Sequence, residues 1–80
     1  MIPPRIKSVK AFQDYHLEIE YVNGEKKRYN MESQLQHLYF KELKNVSYFM
    51  LVKSVDITVE WPNGEDIDPN ELYLNSVDIL

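Results

Sequence analysis

Tyr15-His16-Leu17-Glu18-Ile19-Glu20-Tyr21-Val22-Asn23-Gly24-Glu25-Lys26-Lys27-Arg28-Tyr29 is the stretch on which the fold turns. From Tyr15 to Tyr21 apolar and polar residues alternate, with Tyr15, Leu17, Ile19 and Tyr21 on one face and His16, Glu18 and Glu20 on the other. That period is a half-buried strand. Asn23-Gly24 marks a tight turn, and parity sets its length. A two-residue loop would pair inward residues with outward ones. A loop of Val22, Asn23 and Gly24 places Leu17 across from Tyr29 on the buried face. It also sets Glu18 across from Arg28 and Glu20 across from Lys26 on the wet face, where opposite charges support the register. Such a loop needs a residue with positive φ at its end, and Gly24 supplies it. A less regular strand over Ile6 to Phe12 completes a three-stranded antiparallel meander.

Downstream the spacing becomes helical. Leu35, Tyr39, Leu43, Val46 and Met50 recur at intervals of three and four, and Leu38, Phe40 and Phe49 widen the stripe. Asn30 and Asn45 are N-cap candidates, the second for a helix over Val46 to Val52. Two or three short helices packed on the sheet are expected.

The last third alternates again, with Val55, Ile57 and Val59 opposed to Asp56, Thr58 and Glu60. Pro62-Asn63-Gly64 repeats the earlier loop and pairs Val59 with Ile67, which sets Glu60 opposite Asp66 on the outer face. The same alternation points Trp61 inward. Asp68, Pro69 and Glu71 form an N-terminal cap for a short helix that Leu72 and Tyr73 open and close onto Trp61. The fold class is therefore α+β: a meander plus a C-terminal hairpin, packed with short helices, in one domain over residues 1–80.

Composition narrows the function. The chain has 80 residues, 44% hydrophobic and 28% charged, with no cysteine, so thiolate nucleophiles, disulfides and zinc–thiolate sites are excluded. No apolar run reaches the roughly 20 residues of a membrane span, and no signal-peptide pattern opens the chain; the cytoplasm is the expected compartment. A net charge of −4 argues against general nucleic-acid affinity. The charge is uneven. All nine basic residues lie at or before Lys53, whereas Asp56, Glu60, Glu65, Asp66, Asp68, Glu71 and Asp78 follow with no basic residue among them. Two readings stand for that segment: simple solvation, or an acidic patch awaiting a basic partner.

Chemistry finds little purchase. His16 falls on the wet strand face and His37 on a helix flank, while Ser33 and Ser47 fall in first helical turns, where hydroxyls serve the backbone. The two histidines lack metal-ligand spacing, and the carboxylates at 65–71 lack the calcium-loop pattern, since a capping role explains Asp68. Lys26-Lys27-Arg28 is too small for a nucleic-acid groove and faces glutamates. No catalytic, cofactor or metal residue is assigned.

Trp61-Pro62-Asn63-Gly64, then Asp68 and Leu72-Tyr73, resembles the C-terminal signature of bacterial domain-of-unknown-function family 2442. Pro4-Arg5-Ile6 with Val9, Val22-Asn23-Gly24-Glu25, and Leu43 with Phe49 match earlier parts of that family, so the likeness spans nearly the whole chain. The helical segment is richer in large aromatics (Tyr39, Phe40, Tyr48, Phe49) than the family pattern leads one to expect. The resemblance implies a small α+β domain, in some relatives followed by a helix-turn-helix domain. In many it stands alone, often encoded beside another small protein. It implies no established activity. The leading expectation is a non-enzymatic adaptor or neutralising partner that contacts a small basic protein through Asp56, Glu60, Glu65, Asp66, Asp68 and Glu71. Trp61, Pro62, Asn63, Gly64, Leu72 and Tyr73 are read as structural. The alternative is a regulatory or sensory domain, related to the N-terminal domains of DNA-binding regulators, that binds a small molecule or acts with nucleic acid. Homodimerisation through a strand edge or the aromatic helices is a further expectation.

Overall fold

The computed structural model describes residues 1–79. Strands β1 (Ile6–Ala11), β2 (His16–Tyr21) and β3 (Lys26–Asn30) form the expected antiparallel meander. The β2–β3 register follows the parity argument: Leu17 faces Tyr29, Glu18 faces Arg28 and Glu20 faces Lys26. One turn geometry recurs at three places. Tyr21 N–H donates to Glu25 O and Gly24 N–H to Tyr21 O, and Trp61, Glu65 and Gly64 repeat both bonds. Gly24 and Gly64 have φ of +92° and +93°. Phe12, His16 and Tyr15 make the third copy, with Tyr15 in the positive-φ position at 67°. A non-glycine residue there costs on the order of 1 kcal/mol. Tyr15 is held by an edge-on contact with Phe49 at 5.2 Å and by a hydroxyl bond to Lys44 O. Without a glycine, this turn carries no sequence signal.

The middle segment is helical but wound more tightly than expected. A single 3₁₀ turn, Glu32–Gln34, precedes a kinked 3₁₀ segment, Leu38–Lys44, and a one-turn helix α1 (Val46–Phe49). A 3₁₀ helix has about three residues per turn, so side chains at i and i+3 eclipse. Phe40 and Leu43 are accordingly buried at a spacing of three in the 3₁₀ segment, and in α1 Phe49 is buried and Val46 half-buried. The expected stripe is corrected: Leu38, Tyr39 and Met50 are exposed at 79%, 57% and 44%. Asn45 caps α1 by accepting from Ser47 N–H, but the helix ends at Phe49, short of Val52. Asn30 accepts from Glu32 N–H, a comparable role at the first 3₁₀ turn.

The strand expected over residues 55–60 is broken. Lys53–Val55 (β4) turns back at Asp56, whose φ is 53°, onto Thr58–Glu60 (β5), pairing Lys53 with Glu60. Asp56 O accepts from Ile6 N–H, which ties this hairpin to β1. The Pro62-Asn63-Gly64 loop then joins Glu60 to Asp66 by a single bridge. Helix α2 (Pro69–Leu74) starts as expected, with Asp68 accepting from Glu71 N–H. After it, Val77–Asp78 (β6) returns to β3, which makes the sheet four-stranded in the order β1-β2-β3-β6. No helix among the described residues is long and apolar enough to cross a membrane.

The inner face of the sheet (Ile6, Ala11, Leu17, Ile19, Tyr21, Tyr29) belongs to one buried cluster with Met31, Leu43, Phe49, Val59, Trp61 and Leu72. Trp61 is fully buried, stacked on Phe49 at 5.8 Å, and its Nε1 donates to Phe49 O at 2.8 Å. That bond satisfies two groups that would otherwise be buried unpaired. Tyr73 packs edge-on against Tyr21 at 5.1 Å and beneath Lys27, so its anchor is Tyr21, not the expected Trp61.

Candidate functional site

The seven acidic residues after Lys53 are distributed over the fold, and each has an intramolecular partner. Asp56 lies 3.0 Å from Arg5 Nε, and Glu60 reaches Lys53 Nζ at 3.7 Å across the β4–β5 pair. The sequence reading misses that second contact because it runs one strand through the turn at Asp56. Asp66 accepts from the Tyr39 hydroxyl at 3.2 Å. Glu65 is corrected as a surface residue: it is 8% exposed and accepts from Tyr48 Oη at 2.7 Å. Tyr48 Oη in turn accepts from Asn63 N–H, so one hydroxyl clasps the second Asn-Gly loop. Asp68 caps α2. Glu71 accepts from Tyr29 Oη at 2.9 Å and from Asn75 Nδ2 at 2.7 Å. Asp78 lies 2.9 Å from Lys27 Nζ.

Tyrosine hydroxyls are the recurring donors. Tyr73 adds a fourth such bond, to Glu25 at 2.6 Å. These bonds and burial shift the ionisations. Burial first, then the bond to Glu71, pushes Tyr29 up to about 12. Burial and Glu65 raise Tyr48. The bond from Tyr73, then that from Asn23, lowers Glu25. Lys27 sits on the buried face of β3, 8% exposed, between Asp78, Glu25 at 3.8 Å and the Tyr73 ring at 4.7 Å. The sequence cluster Lys26-Lys27-Arg28 is thus divided by the pleat, one lysine inward and two cations outward.

His16 is half-buried on the outer sheet face, with Nδ1 3.2 Å from Asp14 Oδ2, and His37 is exposed. Among the described residues no group of three or more His, Asp or Glu is placed to hold a metal.

The outer face of the sheet is where uncompensated charge collects. Strand register builds two cross-strand rows on it. Lys10, Glu18, Arg28 and Val77 form one. Ser8, Glu20, Lys26 and Ile79 form the other, with Ile79 N–H donating to Lys26 O. Arg28 holds Glu18 at 2.6 Å and Lys7 holds Glu20 at 3.7 Å. Lys10 and Lys26 have no carboxylate within ion-pair distance among the described residues; Lys10 lies over the Phe12 ring. Four cations (Lys7, Lys10, Lys26, Arg28) therefore stand against two carboxylates. Ile79 rises between two shallow depressions. Lys10, Glu18, Glu20 and Lys26 line one. His16, Arg28, Asn30, Asn75 and Val77 line the other. The β2–β3 half of this surface is legible from alternation. Its apolar border is not, because a two-residue strand such as β6 has no periodicity to read.

The family model described as "Protein of unknown function (DUF2442)" matches residues 6–78, and the chain belongs to that family. No curated protein and no solved structure matches it.

Proposed function

We propose that this DUF2442 protein is a non-enzymatic protein-interaction module, an adaptor or neutralising partner, that makes contact through the outer face of its four-stranded sheet. One observation carries the reading. The face joins ordered charge rows to exposed apolar residues, Val77 and Ile79 at 68% and 39% exposure. Exposed apolar side chains set beside rows of charged ones supply the apolar centre and polar rim of a protein interface. The acidic C-terminal third is the weaker surface, since a basic partner would have to displace Arg5, Lys53, Lys27, a tyrosine hydroxyl or, at Asp68, the capped helix N–H from each carboxylate.

The test is a titration of the labelled protein with the product of its neighbouring gene, followed by amide chemical shifts. Perturbations on β1, β2, β3 and β6 are expected. No binding at micromolar concentration in low salt sinks the reading, as does a map confined to the β4–β5 hairpin and the 3₁₀ segment. Sedimentation of the protein alone separates a second copy on this face from a foreign partner.

A ligand-sensing role has one observation in its favour: the depression lined by His16, Arg28, Asn30 and Asn75 suits a small anion. A thermal-shift screen of carboxylates and phosphates checks it.

A further inference from the structure

The chain carries a net charge of −4, yet its acids are the better-engaged half of its charges. Thirteen Asp and Glu stand against nine Lys and Arg, and among the described residues only Glu32 and Glu42 lack a side-chain hydrogen bond or ion pair. Of the cations, Lys10, Lys26, Lys41 and Lys44 have no carboxylate within ion-pair distance among the described residues. Two of these four, Lys10 and Lys26, line one depression of the outer sheet face together with Glu18 and Glu20, whose charges are already held by Arg28 and Lys7. Across Ile79, the second depression is lined by Arg28, His16 and the carboxamides of Asn30 and Asn75, with no carboxylate among its lining residues. Arg28 gives Glu18 one of its terminal nitrogens, and a guanidinium has five N–H donors.

We infer that the outer sheet face docks an acidic segment of a partner protein, seating carboxylates at Lys10/Lys26 and at Arg28 while an apolar side chain of the same segment covers Val77 and Ile79. The inference rests on the interaction reading above and adds the chemistry of the partner. It reverses the sign expected from sequence, in which the acidic third met a basic protein. Lys26 and Arg28 are two residues apart on one strand, about 7 Å, a spacing that two carboxylates of one short segment can span, and Lys10 reaches the Lys26 depression from β1. Charge complementarity selects the acidic partner. The apolar border selects protein over nucleic acid. A nucleic-acid backbone would leave Val77 and Ile79 uncovered.

The probe is a short synthetic peptide of repeated Glu-Glu-Val, compared with Lys-Lys-Val and with a single-stranded DNA oligonucleotide, all followed by amide shifts and anisotropy. Glu-Glu-Val is expected to shift Ser8–Lys10, Glu18–Glu20, Lys26–Arg28 and Val77–Ile79, with affinity falling as salt rises. K10E/K26E is expected to weaken it at least about tenfold, the equivalent of about 1.4 kcal/mol. K41E/K44E changes the net charge equally, elsewhere on the molecule, and is expected to stay within about twofold of wild type. Equal losses in the two variants overturn the inference, as does tighter binding of Lys-Lys-Val or of the oligonucleotide, or no shift at millimolar Glu-Glu-Val. If the neighbouring gene product binds and K10E/K26E leaves that binding intact, the interaction reading stands and the acidic-segment inference falls.

Discussion

Replacing Tyr21 by phenylalanine is expected to stabilise the protein at neutral pH, whereas the same change at Tyr29 destabilises it. Both rings lie on the inner sheet face, 0% and 3% exposed. Their hydroxyls differ. Tyr21 Oη is buried with no hydrogen-bond partner, while Tyr29 Oη donates to Glu71 and accepts from Gln34 Nε2 at 3.4 Å. A hydroxyl buried unpaired costs about 1–3 kcal/mol, so Tyr21→Phe gains about 1 kcal/mol. Tyr29→Phe takes a donor from a half-buried carboxylate that keeps Asn75, a loss of about 1–2 kcal/mol. At high pH the two converge. Burial, then the charges of Tyr73 and Glu25, pushes Tyr21 up to about 12 from an ordinary 10.0, and Tyr29 reaches about 12 as well. A folded pKa above the unfolded one means stability that is fully present below pH 10 and lost as pH rises towards 12. Each tyrosine then withdraws on the order of 2 kcal/mol, and together they approach the whole stability of a small domain. Urea unfolding at a series of alkaline pH values, with tyrosinate absorbance in parallel, measures both effects. Each single variant should lose about half of the wild-type alkaline dependence contributed by this pair. A Tyr21→Phe protein less stable than wild type at neutral pH refutes the account of the orphan hydroxyl. An alkaline slope unchanged in the double variant refutes the account of the titration.

Lys27→Met keeps the buried stem and removes the charge; with Asp78 72% exposed and free to rehydrate, the expected loss is about 1 kcal/mol. Hydrogen exchange should localise that loss to β6, through the Ile79 amide. Gly64→Ala meets open space, so its cost comes from φ of +93° alone, about 1 kcal/mol in urea unfolding. Acid titration should show Glu25 ionising below its ordinary 4.5, through its bonds from Tyr73 and Asn23. That depressed value means stability present above pH 4.5 and lost as pH falls through the folded pKa. Tyr73→Phe should move the Glu25 carboxyl resonance back towards 4.5 in an NMR pH titration.

Features governed by a few neighbouring residues were readable along the chain. The β2–β3 register follows from period-two alternation and one turn, because a slip of one residue would turn Leu17 and Ile19 to solvent. Gly24 and Gly64 follow from the positive φ their loops need, and Asp68 from the orphan N–H groups at a helix start. Buried Trp61 follows from alternation after Val59. The misreadings share a cause. At residues 55–60 the alternation runs on unbroken in sequence across a reversal at Asp56. The two-residue turn pairs Val55 with Thr58 and Ser54 with Val59, which leaves Val55 exposed while Val59 is buried, so alternation there does not report one face. In the middle segment, apolar residues at three- and four-residue intervals fit both an α-helix and a 3₁₀ winding, and packing against the sheet selected the tighter one.

The fate of the charges lay beyond any local rule. In sequence, the last third is purely acidic. In the folded chain Glu71 meets Tyr29, Asp66 meets Tyr39, Glu65 meets Tyr48 and Asp78 meets Lys27, at separations of 17 to 51 residues. Composition and pattern settle which side chains seek burial and where the backbone reverses, because those preferences act over one turn or one strand. Which cation is left unpaired, and on which face, depends on distances between residues far apart in the chain. Those distances exist only once β6 and the two hairpins have closed on the core.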